Sequence, residues 1–124
     1  MNGRYLLDTN AVIALLGGHS GLVELLKNAK WIGIPVIVEL EFLSFSGLSS
    51  SDMELFGNFK SRVNVLSLNA SDSGLLEEII QIRLKYNVKL PDAIISASAI
   101  VNQASLVSND AAFRRISNLA LQEF

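Results

Sequence analysis

Five carboxylates in this sequence stand apart from the rest. Asp8 ends the run Tyr5-Leu6-Leu7. Glu39 and Glu41 lie inside Ile34-Pro35-Val36-Ile37-Val38-Glu39-Leu40-Glu41-Phe42-Leu43. Asp92 opens the segment Leu90-Pro91-Asp92-Ala93-Ile94-Ile95, and Asp110 follows Leu106-Val107-Ser108. Each is set at an element end, or within a stretch otherwise suited to burial. No Lys or Arg occurs between Lys30 and Lys60, or between Lys89 and Arg114, so Glu39, Glu41 and Asp110 have no cation close by in sequence. A partly buried carboxylate without a partner goes neutral, finds a distant arginine or binds a metal. Several such groups converging on one place repel one another, and a divalent cation relieves the repulsion. Oxygen-only ligands select Mg²⁺ or Mn²⁺ over Zn²⁺.

A plainer reading stands beside this one. Asp8 could cap a helix starting near Asn10, Asp92 could complement a helix dipole from the first turn, and Asp110 could cap a short last helix. One of Glu39 and Glu41 is a solvated neighbour, because residues two apart do not share a helix face. Glu24, Asp52, Glu54, Asp72, Glu77, Glu78 and Glu123 fall on polar faces, at helix starts or at the terminus.

The elements that would position the five follow from periodicity. Short apolar runs bounded by Gly, Asn, Asp or Pro predict strands at Arg4–Leu7, Trp31–Ile34, Val63–Leu66, Leu106–Ser108 and Leu119–Gln122. Helices are predicted at Ala11–Leu16, Gly21–Asn28, Val36–Ser44, Asp52–Ser61, Asp72–Tyr86 and Pro91–Asn102, with a short one after Asp110. Ser51 and Glu54 have the spacing of a capping box. Alternating strands and helices predict an α/β fold: a three-layer α/β/α sandwich around a central, mostly parallel sheet of about five short strands. In such sheets ligands bind beyond the carboxyl ends of the strands.

Composition narrows the chemistry. The chain has 124 residues, which suits a single domain over 1–124. It has no cysteine, so disulfides, thiolate metal sites and cysteine nucleophiles are excluded. His19 is the one histidine, which excludes paired-histidine nuclease chemistry; it lies in a Gly-rich turn and reads as surface. The net charge of −2 is not that of a protein holding nucleic acid by charge alone. Mean hydropathy is high at +0.39. Even so, the richest stretch, Trp31–Leu48, is broken by Pro35, Glu39 and Glu41 and does not read as a membrane span. The start of the sequence lacks a signal-peptide pattern. A cytoplasmic protein with no membrane association is expected.

Three motifs together resemble the PIN-domain family, in particular the small VapC-type toxin ribonucleases of type II toxin–antitoxin pairs. Tyr5-Leu6-Leu7-Asp8-Thr9-Asn10 resembles the opening motif, Leu90-Pro91-Asp92-Ala93-Ile94-Ile95-Ser96-Ala97 the third acidic motif, and Ser108-Asn109-Asp110-Ala111-Ala112-Phe113 the last. The resemblance covers essentially the whole chain. The second motif departs from the pattern. Glu39-Leu40 matches a family dipeptide and Glu41 the distance from the strand, but Leu43 and Phe45 stand where a glycine is usual. Glu41 is preferred, with Glu39 as the alternative.

The resemblance implies metal-dependent hydrolysis of RNA phosphodiesters. Asp8, Glu41, Asp92 and Asp110 would hold Mg²⁺ or Mn²⁺. Asn10 and Ser108 would orient Asp8 or a metal-bound water, with Thr9 a weaker candidate. A small antitoxin protein and a homodimer are implied as partners, alongside the RNA substrate. Candidate phosphate contacts are Lys60, Arg62, Arg83, Lys85, Lys89, Arg114 and Arg115, with Lys85 and Lys89 flanking Asp92. Two other readings compete. In one the acids are caps and the chain is a non-catalytic interaction or dimerisation module. In the other it is an aspartyl phosphatase, which would want an acid where Asn10 stands.

Overall fold

The structure, a computed structural model, describes residues 3–124. Five strands form one sheet in the order β3-β2-β1-β4-β5: β1 Arg4–Leu7, β2 Trp31–Pro35, β3 Asn64–Leu66, β4 Ser105–Val107 and β5 Leu121–Gln122. Every pairing is parallel. The central strands read as unbroken apolar runs because both faces are covered. Leu6 and Leu7 in β1, and Leu106 and Val107 in β4, are fully buried. Leu6 lies opposite Gly33 on one side and Leu106 on the other.

Six helices connect the strands: α1 Thr9–Leu16, α2 Ser20–Lys27, α3 Val36–Leu43, α4 Ser50–Lys60, α5 Ser73–Tyr86 and α6 Leu90–Val101. A 3₁₀ turn follows β4 at Ala111–Arg115. The chain steps outward from β1 through β2 to β3, then returns past β1 to β4. Right-handed crossovers place the helices of the two journeys on opposite faces of the sheet. This is the α/β sandwich the sequence predicts. No single helix among the described residues is long and apolar enough to cross a membrane.

The core is built around α6. Ala93 to Ala99 are all buried, and each of Ile94 and Ile95 contributes about 2 kcal/mol of transfer free energy. The two buried serines in this run turn their hydroxyls back to the helix, Ser96 to the Asp92 carbonyl and Ser98 to the Ile94 carbonyl, both at 2.7 Å. Among the described residues no buried side-chain nitrogen or oxygen lacks a hydrogen-bond partner.

Several boundaries differ from the predicted ones. The α4 capping box is Ser49 with Asp52, not Ser51 with Glu54: Asp52 N–H donates to Ser49 Oγ and Ser49 N–H donates to Asp52 Oδ2, each at 3.0 Å. Three consecutive serines offer equivalent caps. The choice among them fits the one buried residue of α4, Phe56, which stacks on Phe42 with centroids 4.6 Å apart. His19 is exposed, as expected, and it also has a structural task. Its Nδ1 accepts from Leu22 N–H and caps α2, and its ring meets Phe124 edge-on. Strand β4 begins and ends one residue earlier than predicted, which leaves Ser108 just beyond its carboxyl end. Strand β5 is only Leu121–Gln122, because Leu119 closes a turn onto the Ile116 carbonyl.

Candidate active site

The strand order reverses between β1 and β4, and there the sheet opens a crevice at its carboxyl edge. Asp8 leaves β1 at this point and Asp110 leaves β4. Glu41 comes from α3, the helix directly after β2, and Asp92 from the first turn of α6. All four line a single cleft of about 550 Å³, together with Thr9 and Asn10. Among the described residues no Lys, Arg or His lines it.

Asp8 is the most deeply set of the four, with 7% of its surface exposed. Three donors hold its carboxylate. Thr9 N–H reaches Oδ1 at 2.7 Å, and the Ser108 hydroxyl reaches Oδ2 at 2.8 Å. The Asn10 side-chain amide reaches Oδ2 at 3.3 Å. The Asn10 amide also donates to Ser108 Oγ at 3.2 Å, while Asn109 N–H donates to Asn10 Oδ1 at 3.2 Å. Ser108 Oγ accepts once more, from Asp110 N–H at 3.1 Å. Ser108 and Asn10 thus tie the ends of β1 and β4 together around one carboxylate.

Burial raises the pKa of Asp8, the Ser108 and Thr9 hydrogen bonds oppose that rise, and the charges of Glu41 and Asp110 add to it. Asp92 is half-buried, and its pKa is raised first by burial, then by Asp110 and Asp8. Lys89 pulls it back and Glu41 pushes it further. Negative charge therefore gathers in the cleft faster than the protein offsets it.

The two glutamates separate cleanly. Glu39 is ion-paired with Lys60 of α4 and does not line the cleft. Glu41, about 200° further around the helix, does line it, and accepts from Thr9 Oγ1 at 2.8 Å. Thr9, the weaker candidate in the sequence, thereby links the Asp8 and Glu41 segments. The capping expectations hold as well: Asp8 caps α1 and Asp110 caps the 3₁₀ turn through Ala112 N–H at 2.9 Å. The sequence reading missed Ile13 and Phe45, which give the cleft an apolar flank. Phe45, one helical turn beyond Glu41, was the available signal.

The donor set suits a hard divalent cation: four carboxylates and neutral hydroxyl and amide oxygens, without nitrogen or sulfur ligands. Among the described residues no three acids sit close enough together to clasp an ion as placed. The carboxylates line an open cleft; they do not close on one point.

The PIN domain family model matches residues 5–119. The chain belongs to the PIN domain family. Similar solved structures include VapBC2 from Rickettsia felis bound to a promoter DNA fragment, with 25% identity and a TM-score of 0.81 over 98% of each chain. A toxin–antitoxin complex from Klebsiella pneumoniae has 24% identity and a TM-score of 0.78, covering 97% of this chain and 99% of that one. DNA-bound VapBC from Salmonella typhimurium has 22% identity and a TM-score of 0.79 over 97% of each. No curated protein matches the sequence. PIN domains of the VapC type are generally nucleases, and an acid-lined cleft at the sheet switch point is in keeping with that activity.

Proposed function

We propose that this PIN domain is a Mg²⁺- or Mn²⁺-dependent endoribonuclease, the toxin of a VapC-type toxin–antitoxin pair. The observation that carries the reading is the convergence of Asp8, Glu41, Asp92 and Asp110, from four separate segments, on one cleft that no Lys, Arg or His among the described residues lines. These four residues would hold the metal. When bound, a divalent ion supplies water acidified toward neutral pH and offsets charge on the phosphoryl oxygens.

The chain's own residues have defined tasks. Ser108 and Asn10 hold Asp8 in one orientation, so its remaining acceptor site faces a fixed direction. Thr9 does the same for Glu41. Asp92 takes its direction from the backbone at the start of α6.

An antitoxin partner is supported by the structural relatives, which are themselves toxin–antitoxin complexes. An apolar groove of about 270 Å³, lined by Leu16, Phe42, Leu48 and Leu55, shares Ile13 and Phe45 with the acidic cleft. A partner segment lying in that groove would end at the acids, where a cationic side chain could occupy them. The same reading carries a homodimer, measured by light scattering of the purified protein.

The test is cleavage of single-stranded RNA with Mn²⁺, with and without chelator. Hydrolysis should require the metal and fall by orders of magnitude in Asp8→Asn and Asp110→Asn. A non-catalytic module is favoured by the capping roles of Asp8 and Asp110. That alternative predicts no cleavage and no divalent-metal binding.

A further inference from the structure

We propose that Lys89 and Arg115 form a phosphate subsite that seats the RNA phosphate next to the scissile one. The inference rests on the ribonuclease reading and names the part of the substrate this side of the cleft engages. A second cavity, of about 250 Å³, adjoins the acidic cleft and shares Asp92 and Asp110 with it. Its other wall is built by Asn87, Lys89 and Arg115. A strand of RNA with one phosphate at the acids therefore places a neighbouring phosphate against two cations.

Both cations are free to serve. Lys60 is paired with Glu39 and Arg114 with Glu123, whereas neither Lys89 nor Arg115 makes an ion pair among the described residues. Arg115 gives one long hydrogen bond, 3.4 Å, to the Tyr86 carbonyl. The backbone beneath each is anchored: Val88 is buried before Lys89, and Phe113 and Ile116 are buried on either side of Arg115. Asn87, with φ of 53°, turns the chain sharply from α5 into Lys89. Lys89 also acts electrostatically on Asp92, so its charge reaches the edge of the acidic cleft.

The experiment is binding of a fluorescent single-stranded RNA by anisotropy in chelator, over a salt series, followed by steady-state cleavage in Mn²⁺. Lys89→Ala and Arg115→Ala should each weaken binding about fivefold and reduce the log–log salt slope by about 0.7. In cleavage the same factor should appear in KM, with kcat within about twofold. Lys89→Arg should restore affinity. Lys27→Ala should behave as wild type, because Lys27 closes α2 just before β2 begins, at the opposite end of the sheet. If wild type cleaves RNA and both alanine variants keep its KM and salt slope, the subsite is wrong and the ribonuclease reading stands. If wild type neither binds nor cleaves RNA, both are wrong. Loss of binding to a protein partner, with RNA affinity intact, would also overturn the subsite.

Discussion

Ser108→Ala should destabilise the protein by an amount that grows with pH. The Ser108 hydroxyl is fully buried and donates to Asp8 Oδ2 at 2.8 Å. A hydrogen bond to an ionised group contributes about 1.5–3 kcal/mol, and one between neutral groups about 1 kcal/mol. Burial already raises the pKa of Asp8, and the Ser108 hydrogen bond is the largest influence opposing that rise. A carboxyl whose pKa is raised on folding stabilises the fold below its unfolded pKa, and that contribution is lost as pH climbs through the folded pKa. Removing Ser108 lifts the folded pKa further, so the loss at neutral pH deepens. The variant should therefore cost about 1 kcal/mol at acid pH below the ordinary carboxylate range, where Asp8 is protonated, and about 2–3 kcal/mol near pH 7. At pH 7 this corresponds to a fall in Tm of roughly 8–12 °C for a chain of this size. Urea unfolding followed by Trp31 fluorescence and far-UV circular dichroism measures both values. In an Asp8→Asn background the same substitution should cost only about 1 kcal/mol at either pH. A cost independent of pH and equal in the two backgrounds would refute the coupling of Ser108 to an ionised Asp8.

The other expectations are briefer. Glu41→Gln should lower cleavage by at least about 100-fold, more than loss of a residue that only orients a ligand. Glu39→Gln should leave cleavage unchanged and cost under about 1 kcal/mol, because its partner Lys60 is exposed to solvent and screened; equal effects in the two variants would refute this separation of their roles. Asp92→Asn should abolish cleavage yet match or exceed wild-type stability at pH 7. It should also flatten the stability profile above the acid range, because the raised pKa of Asp92 makes its ionisation unfavourable to folding; urea midpoints near pH 4 and pH 7 decide this. Mn²⁺ at 100 times its dissociation constant should stabilise wild type by about 2.7 kcal/mol in thermal unfolding, and Asp92→Asn much less at the same concentration.

The sheet was legible because a parallel sheet covered on both faces needs unbroken apolar strands, and β1 and β4 are such runs. Asp8 and Asp110 were legible for a related reason: a charged residue directly after a buried strand, as Asp8 is, or three residues beyond one, as Asp110 is, has few places to go except the open edge. What the sequence hid depended on contacts between distant segments. The periodicity of α3 puts Glu39 and Glu41 on different faces, but nothing local says which face meets the cleft. Lys60, 21 residues away on α4, settles it by pairing with Glu39. Thr9 was visible only as the neighbour of Asp8, and its hydroxyl partner lies 32 residues ahead. The α4 cap was ambiguous among three serines, and one packed phenylalanine, Phe56, marks the register the helix adopts.

Capping and metal holding are also less opposed than they looked in the sequence. A carboxylate has about four lone-pair sites, and a cap uses one. Asp110 gives Oδ1 to Ala112 N–H, and Glu41 gives Oε1 to Thr9. Asp8 accepts three hydrogen bonds, and the carboxylate of Asp92 accepts none among the described residues. The local bonds therefore orient the acids without exhausting their acceptor capacity. They lower the cost of keeping Asp8 ionised but leave the charge of the cluster unbalanced, a charge that a divalent cation would offset.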